Sequence, residues 1–434
     1  MLVVLKIFIF FNSNKSLFVE ILSTSAFKLI FNFIIFSYII KNSNFYKDRI
    51  DRDLILNSVS DLKKFPFTSK DDITVFNDDF LCVEEKKVRD FVTTSGTLGN
   101  PTSFYLTSND LNRLAKNEMH SLKISGVNQS DKVLLTTTID KCFMAGLAYF
   151  LGCQELSVGV IRTGPGNIKY QWDMIERFQP TVIIIVPSFL LKMIQYAKEN
   201  NIDISRLSLK KAICIGEPIR DDSFNLNSLG KAIKTSLDIK IHSTYASTEM
   251  MTAFTECEEG KGGHLQEDLL HVEVLDESDN EVESGKSGEV VITTLGVEAM
   301  PLLRFKTGDI CTVHREICEC GRSSLRLGPV LGRKNQRLKI KGTTIFPSAI
   351  IEAVYAFKEI KEFVIEVTLD KYDSDKLCLF VTNSFLESSS LKQFKDFLKS
   401  KLLFTPEVLI EHVDWINKKI NSNNRKENRF IDNR

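Results

Sequence analysis

Ten consecutive residues, Thr93-Thr94-Ser95-Gly96-Thr97-Leu98-Gly99-Asn100-Pro101-Thr102, hold four threonines, one serine and two glycines. A loop of this composition turns tightly and aims backbone N–H groups and hydroxyls at one spot, which suits an anion such as a triphosphate. Thr94, Ser95, Gly96, Thr97, Gly99 and Thr102 are the candidate ligands. It is not a Walker A loop, because no lysine follows Gly99. A plain surface turn is the competing reading. The flanks weigh against it: 88–92 and 103–106 read as short strands, unlike the strand–loop–helix of a dinucleotide fold.

Three further groups could do chemistry. Tyr245-Ala246-Ser247-Thr248-Glu249 follows a strand expected at 240–243, and Gly216-Glu217-Pro218 follows the strand before it. Ligands of open α/β sheets bind at such strand ends. An aromatic ring there stacks on a base, and a carboxylate holds Mg²⁺. Arg304 to Asp309 joins a cation, a turn glycine and a carboxylate able to accept from both ribose hydroxyls; a Gly-Asp hairpin turn is the alternative. Arg333 is a cation within reach of a phosphate or ribose, or simply a solvated one. Cys257, His264, Cys318 and Cys320 form a separate set of three thiolates and an imidazole that suits tetrahedral Zn²⁺. Inert free thiols are the alternative there, since Cys-x-Cys is a weaker signal than Cys-x-x-Cys.

Positioning these residues requires a sheet. Residues 132–138, 181–186, 211–215 and 240–243 read as strands alternating with helices at 108–125, 142–152, 187–200 and 222–236. The unbroken β-branched run at 181–186 marks a strand buried on both faces. Such alternation implies a mostly parallel sheet covered by helices. From His271 the pattern changes to short strands at 271–276, 288–294 and 310–314, an antiparallel β-rich subdomain. Gly332-Arg333 marks a boundary. Beyond it, strands at 338–345, 363–369 and 376–382 with helices from Ser348 and Leu391 describe a small α+β domain. The expected organisation is an apolar extension over 1–40, a large domain over 41–332 and a small one over 333–434.

The chain has 434 residues and 43% hydrophobic content, ample for two cores. Lysine plus arginine balance aspartate plus glutamate at 56 each, so nothing points to a nucleic-acid partner. Nine cysteines without framework-like spacing suggest a reducing, cytoplasmic setting. The apolar runs at 2–11 and 26–40 fall short of the roughly 18 residues of a membrane span. They read as buried helix, with membrane-surface contact through residues 1–40 as the alternative.

Taken in order, these elements resemble the adenylate-forming superfamily, and within it the phenylacetate–coenzyme A ligase branch that includes coenzyme F390 synthetase-like proteins. The resemblance runs from about Phe45 to Arg434. It is carried by Phe45-Tyr46-Lys47, Leu62 to Phe67, Met300 to Asp309 and Lys341 to Glu352. It implies a large α/β domain, a β-rich subdomain and a small mobile C-terminal α+β domain. It also implies that residues Thr94 to Thr102 grip the phosphates of ATP. Gly216, Glu217, Pro218 and Tyr245 would frame adenine beside Ser247 and Thr248. Glu249 would bind Mg²⁺, and Asp309 and Arg333 would hold the ribose. Lys426, in a closing segment 425–432 similar to that of the family, would be the lysine of the adenylation step, where charge builds on carboxylate and α-phosphate oxygens. Some members of the branch carry zinc where Cys257, His264, Cys318 and Cys320 fall. The implied activity is ligation of a small, aromatic carboxylic acid to a thiol, that of coenzyme A or a carrier's phosphopantetheine, through an acyl-adenylate. The alternatives are an F390-type adenylyltransferase or acyl-protein synthetase, and an inactive ATP- or acyl-binding homologue. The sequence departs from the family at Leu98 and Asn100 in the loop, at Asn335 near the boundary, and before Lys426, where Asn424-Arg425 stands in place of glycines.

Overall fold

The computed structural model describes residues 36–50, 59–94, 102–340, 343–357, 359–360, 362–369, 375–382, 388–421 and 428–434. An eleven-stranded sheet organises the larger part. Strands Gly159–Arg162, Lys132–Leu135, Val182–Ile185, Lys211–Ile215 and Lys240–Ser247 lie side by side in that order, all parallel. All four side chains of Val182–Ile185 are buried. Alternate residues of a strand face opposite sides. Accordingly Ile183 and Ile185 pack with Trp172, Leu190 and Ile233 on one face, while Val182 and Ile184 meet Leu122, Tyr149 and Cys153 on the other. Helix Ser108–Ile124 opens on a Thr107–Asp110 capping box that satisfies its first free N–H groups. It crosses helix Met144–Glu155 at Gly152, where a Cβ would sit 2.4 Å from that of Glu118. Only glycine allows that approach.

The antiparallel strands are not a separate layer. The sheet continues from Lys240–Ser247 through Thr252–Glu256, Gly263–His264, Arg326–Arg333, Phe305–His314, Ser287–Thr294 and Leu270–Leu275. Two local expectations change as a result. The strand expected at 240–243 runs on to Ser247, because Thr244 to Ser247 pair with Thr252 to Thr255. Tyr245 therefore lies within a strand, not in a loop after it. Gly308-Asp309 is not a hairpin turn either. It lies inside strand Phe305–His314, where the pairing register breaks opposite Glu289 to Val291 and Gly308 takes φ +76°. This bulge re-aims the Asp309 side chain. The helix expected from Asp222 begins at Ser228. Asp221 instead accepts from Ser223 and Asn225 N–H groups at 3.0 and 2.9 Å, closing a turn that competes with helix.

Phe36 and Ile39, at the end of the apolar N-terminal stretch, are buried in the large core, where Phe36 stacks on Phe65. The small part is a four-stranded sheet in the order Glu407–Glu411, Asp375–Thr382, Phe363–Leu369, Phe430–Asp432. Helix Pro347–Tyr355 contributes Ile350, Ala353 and Val354 to its core. The last strand pairs parallel to Phe363–Leu369 through Ile365 and Phe430, which anchors the end of the closing segment. No helix among the described residues is long and apolar enough to cross a membrane.

Candidate active site

A cavity of about 710 Å³ lies between the C-terminal ends of the parallel strands and the small part. Gly216, Glu217 and Pro218 line it from the end of Lys211–Ile215, and Tyr245 and Ser247 from the next strand. Asp309 and Arg333 close one side, and Glu352, Tyr355 and Arg429 of the small part face them.

Asp309 is the fixed point of the cleft. It is buried, one oxygen accepts from the Tyr245 hydroxyl at 2.8 Å, and the other accepts from Arg333 Nε at 3.1 Å. A carboxylate has about four acceptor sites, so these two bonds orient it and leave capacity for a ligand's hydroxyls. Burial, reinforced by the Asp309 charge, drives the Tyr245 phenol far above its ordinary value, so it stays a donor. The Tyr245 ring is held by Phe254, with centroids 5.8 Å apart and planes at 23°. The Glu217 carboxylate turns to the next helix. Its oxygens accept from the Ser188 N–H at 2.9 Å and the Ser188 hydroxyl at 3.0 Å, at the start of helix Pro187–Glu199. Glu217 thereby holds its own strand-end loop in place.

Thr94 and Thr102 are brought together away from the cavity wall. The Thr94 N–H donates to the Thr102 carbonyl at 2.9 Å, and the Thr102 N–H to the Thr94 hydroxyl at 3.1 Å. They clamp the mouth of the glycine loop. Ser95, Gly96, Thr97 and Gly99, within the loop, lie outside the described residues, as does Lys426. Thr248 and Glu249 occupy the turn after strand Lys240–Ser247, half-buried. Arg304 does not reach the cleft. Its guanidinium binds both oxygens of Glu273 and the carbonyls of Lys63 and Phe65 in the interior.

Sequence reasoning missed Arg220 and Glu256, which line the cavity as an ion pair whose single Nε–H is shared between the two carboxylate oxygens at 2.9 and 3.0 Å. Nothing in their spacing signals a partnership, because it forms between the loop after Lys211–Ile215 and the end of Thr252–Glu256, two strands separated by Lys240–Ser247. Burial raises the Glu256 carboxyl, with Arg220 opposing. It also missed Glu352, Tyr355 and Arg429, which reach the cleft only because the small part folds back over it.

Cys257, His264, Cys318 and Cys320 converge, with their ligand atoms within 4.8 Å of one another. Cys257 Sγ lies 3.8 Å from Cys318 Sγ, and Cys320 Sγ lies 3.5 Å from His264 Nε2. Tetrahedral zinc with its usual bond lengths implies S···S edges of about 3.8 Å and S···N edges of about 3.5 Å. The donor set fits that ion. His264 Nδ1 sits 3.1 Å from the Ser324 hydroxyl, which fixes the ring with Nε2 facing the thiols. Burial, and then Arg322 and Arg326, lower His264 to about 4, so the imidazole is neutral, as a ligand must be.

A strand-end cleft with an oriented carboxylate, under a small α+β lid, defines a nucleotide-binding enzyme fold. Residues 50–299 match the AMP-binding enzyme family, more than half of the chain, and the chain belongs to that family. It is 30% identical to phenylacetate-coenzyme A ligase of Thermus thermophilus over 333 residues, 75% of this chain and 73% of the relative. Among solved structures, 2-hydroxyisobutyryl-CoA ligase in its postadenylation state superposes with a TM-score of 0.79 at 20% identity, covering 92% of this chain and 87% of that one. The same ligase in its thioesterification state gives 0.65 at 21% identity, covering 91% and 87%.

Proposed function

We propose that the chain is an AMP-forming acid–coenzyme A ligase whose acid is aromatic and phenylacetate-like. The observation that carries this reading is the Asp309 carboxylate, oriented by Tyr245 and Arg333 in a cleft shared by both sheets. In the first step a carboxylate oxygen attacks the α-phosphorus of ATP, and pyrophosphate leaves. In the second, the thiol sulfur of coenzyme A attacks the acyl carbon, its proton is lost and AMP leaves. Positioning and charge neutralisation do most of the first step. Asp309 and Arg333 hold the ribose; Gly216, Glu217, Pro218 and Tyr245 frame the adenine beside Ser247 and Thr248. Glu249 binds the Mg²⁺ that accompanies ATP. Residues 94–102 grip the phosphates, and Lys426 neutralises charge at the reacting oxygens. Residues 333–434 move as the small domain between the two steps. The relatives' names support coenzyme A as the acceptor.

Pyrophosphate–ATP exchange across a panel of carboxylic acids, phenylacetate first, tests the reading. Acid-dependent exchange is expected. Absence of exchange with every acid overturns it. Coenzyme A, then a holo-carrier protein, added after exchange is found, decides the acceptor.

Cys257, His264, Cys318 and Cys320 hold a structural zinc ion in this proposal. Zinc there ties the 257–264 loop to the 318–320 hairpin and supplies no chemistry to the ligation. Metal analysis of the purified protein should give about one equivalent; a stoichiometry near zero removes the ion.

A further inference from the structure

We propose that Glu352 is a positioning residue. It docks the small part onto helix Ser228–Ser236 of the large part, in the arrangement that serves adenylate formation and not thioester formation. The inference rests on the ligase reading above.

Glu352 lies on helix Pro347–Tyr355, and its Oε1 accepts from the Ser228 N–H at 2.7 Å, across 124 residues of chain. Ser228 opens its helix, so its N–H has no partner within the helix. The Asn227 side chain caps a different group, the Gly230 N–H, at 2.9 Å. The carboxylate thus meets both an unsatisfied donor and the positive end of the helix dipole. A second ionic contact lies near the same seam. Glu362 of the small part accepts from Arg429 Nη2 at 2.8 Å and sits 3.8 Å from Lys192 Nζ on helix Pro187–Glu199. Arg429 is buried and its Nη1 donates to the Phe363 carbonyl at 3.0 Å. The end of the closing segment is therefore anchored to the small part beside this second contact.

Such bonds tolerate little displacement. Turning the small part by a few ångströms removes the Ser228 N–H from Glu352. The same solved relative, at nearly equal coverage, matches this arrangement with a TM-score of 0.79 in its postadenylation state and 0.65 in its thioesterification state. The Glu352 contact accordingly belongs to the first arrangement.

Two variants test this from opposite sides. Glu352→Ala removes the acceptor. Ser228→Pro removes the donor at a first helical position, where proline is accommodated, and the extended Asn227 before it (ψ −178°) suits a following proline. Each should lower pyrophosphate–ATP exchange by about tenfold, the loss expected from one helix-end contact. Thioester formation from supplied acyl-adenylate should not fall, and the double variant should be no worse than either single. Small-angle scattering of the full chain should show a larger radius of gyration in each variant. Unchanged exchange with unchanged scattering overturns the proposal. So does an equal loss in both half-reactions. If the native chain shows no exchange with any acid, the ligase reading fails, and the scattering comparison alone decides the docking.

Discussion

Arg304 and Arg333 both pair with a carboxylate on the same antiparallel region, and they have opposite fates. Arg304 and Glu273 are buried, with side-chain exposures of 5% and 2%. The remaining donors of Arg304 meet two carbonyls, and the Phe67 ring lies 4.1 Å from its guanidinium carbon. Arg333 keeps 43% of its side chain exposed while its Nε holds Asp309. A guanidinium whose donors are consumed by the fold is scaffold. One that is partly satisfied at a cleft is available to a ligand. The same contrast separates the buried Glu118 from Asp309. Both are carboxyls out of bulk water, but only Asp309 faces the cavity.

The comparison is broken most directly at its interior member. Arg304→Met strands Glu273 as an unpaired buried charge and should cost about 3–5 kcal/mol. Arg333→Met should cost within about 1 kcal/mol, because the guanidinium is partly exposed and screened by water and Asp309 keeps its bond from Tyr245. Thermal unfolding of the two variants checks this, and equal losses would contradict the contrast. Next comes Glu118, whose Oε2 has no partner and whose carboxyl burial pushes up to about 8 despite the Asn117 amide. The folded value lies above the unfolded 4.5, so its contribution to stability is full below 4.5 and is lost as pH rises through about 8. Glu118→Gln should flatten stability over that window and exceed the native chain above it by roughly a few kcal/mol. Denaturant midpoints on both sides of the window decide; parallel curves would sink the assignment. The cleft changes are smaller. Asp309→Asn should weaken ATP binding by about 2 kcal/mol, roughly 30-fold, with little change in unfolding temperature. Tyr245→Phe should cost only about 1 kcal/mol of that affinity. Calorimetric titration with ATP measures both, and a fall in stability larger than the fall in affinity would move Asp309 to the scaffold class.

Much of the frame was legible because its causes are local. The β-branched run around Val182–Ile185 announces a doubly covered strand, and the helix expected at 108–125 is found at Ser108–Ile124. Strands Gly159–Arg162 and Thr252–Glu256 went unread, since neither carries an unbroken β-branched run nor an apolar–polar alternation. The extension of Lys240–Ser247 was hidden because a Ser/Thr-rich stretch reads as loop until a partner strand supplies its hydrogen bonds.

By itself, the sequence determined most of the helices, the buried parallel strands, and which residue types were present for phosphate, ribose and metal chemistry. Those outcomes depend on neighbours within one or two turns. Only the tertiary structure decided which of them meet. It joined Cys257 and His264 to Cys318 and Cys320, turned Arg304 inward and left Arg333 at the cleft, and set Glu352 against Ser228. Each of those pairings closes a long loop. Their geometry follows from how the sheet and the small part pack, which no local spacing encodes.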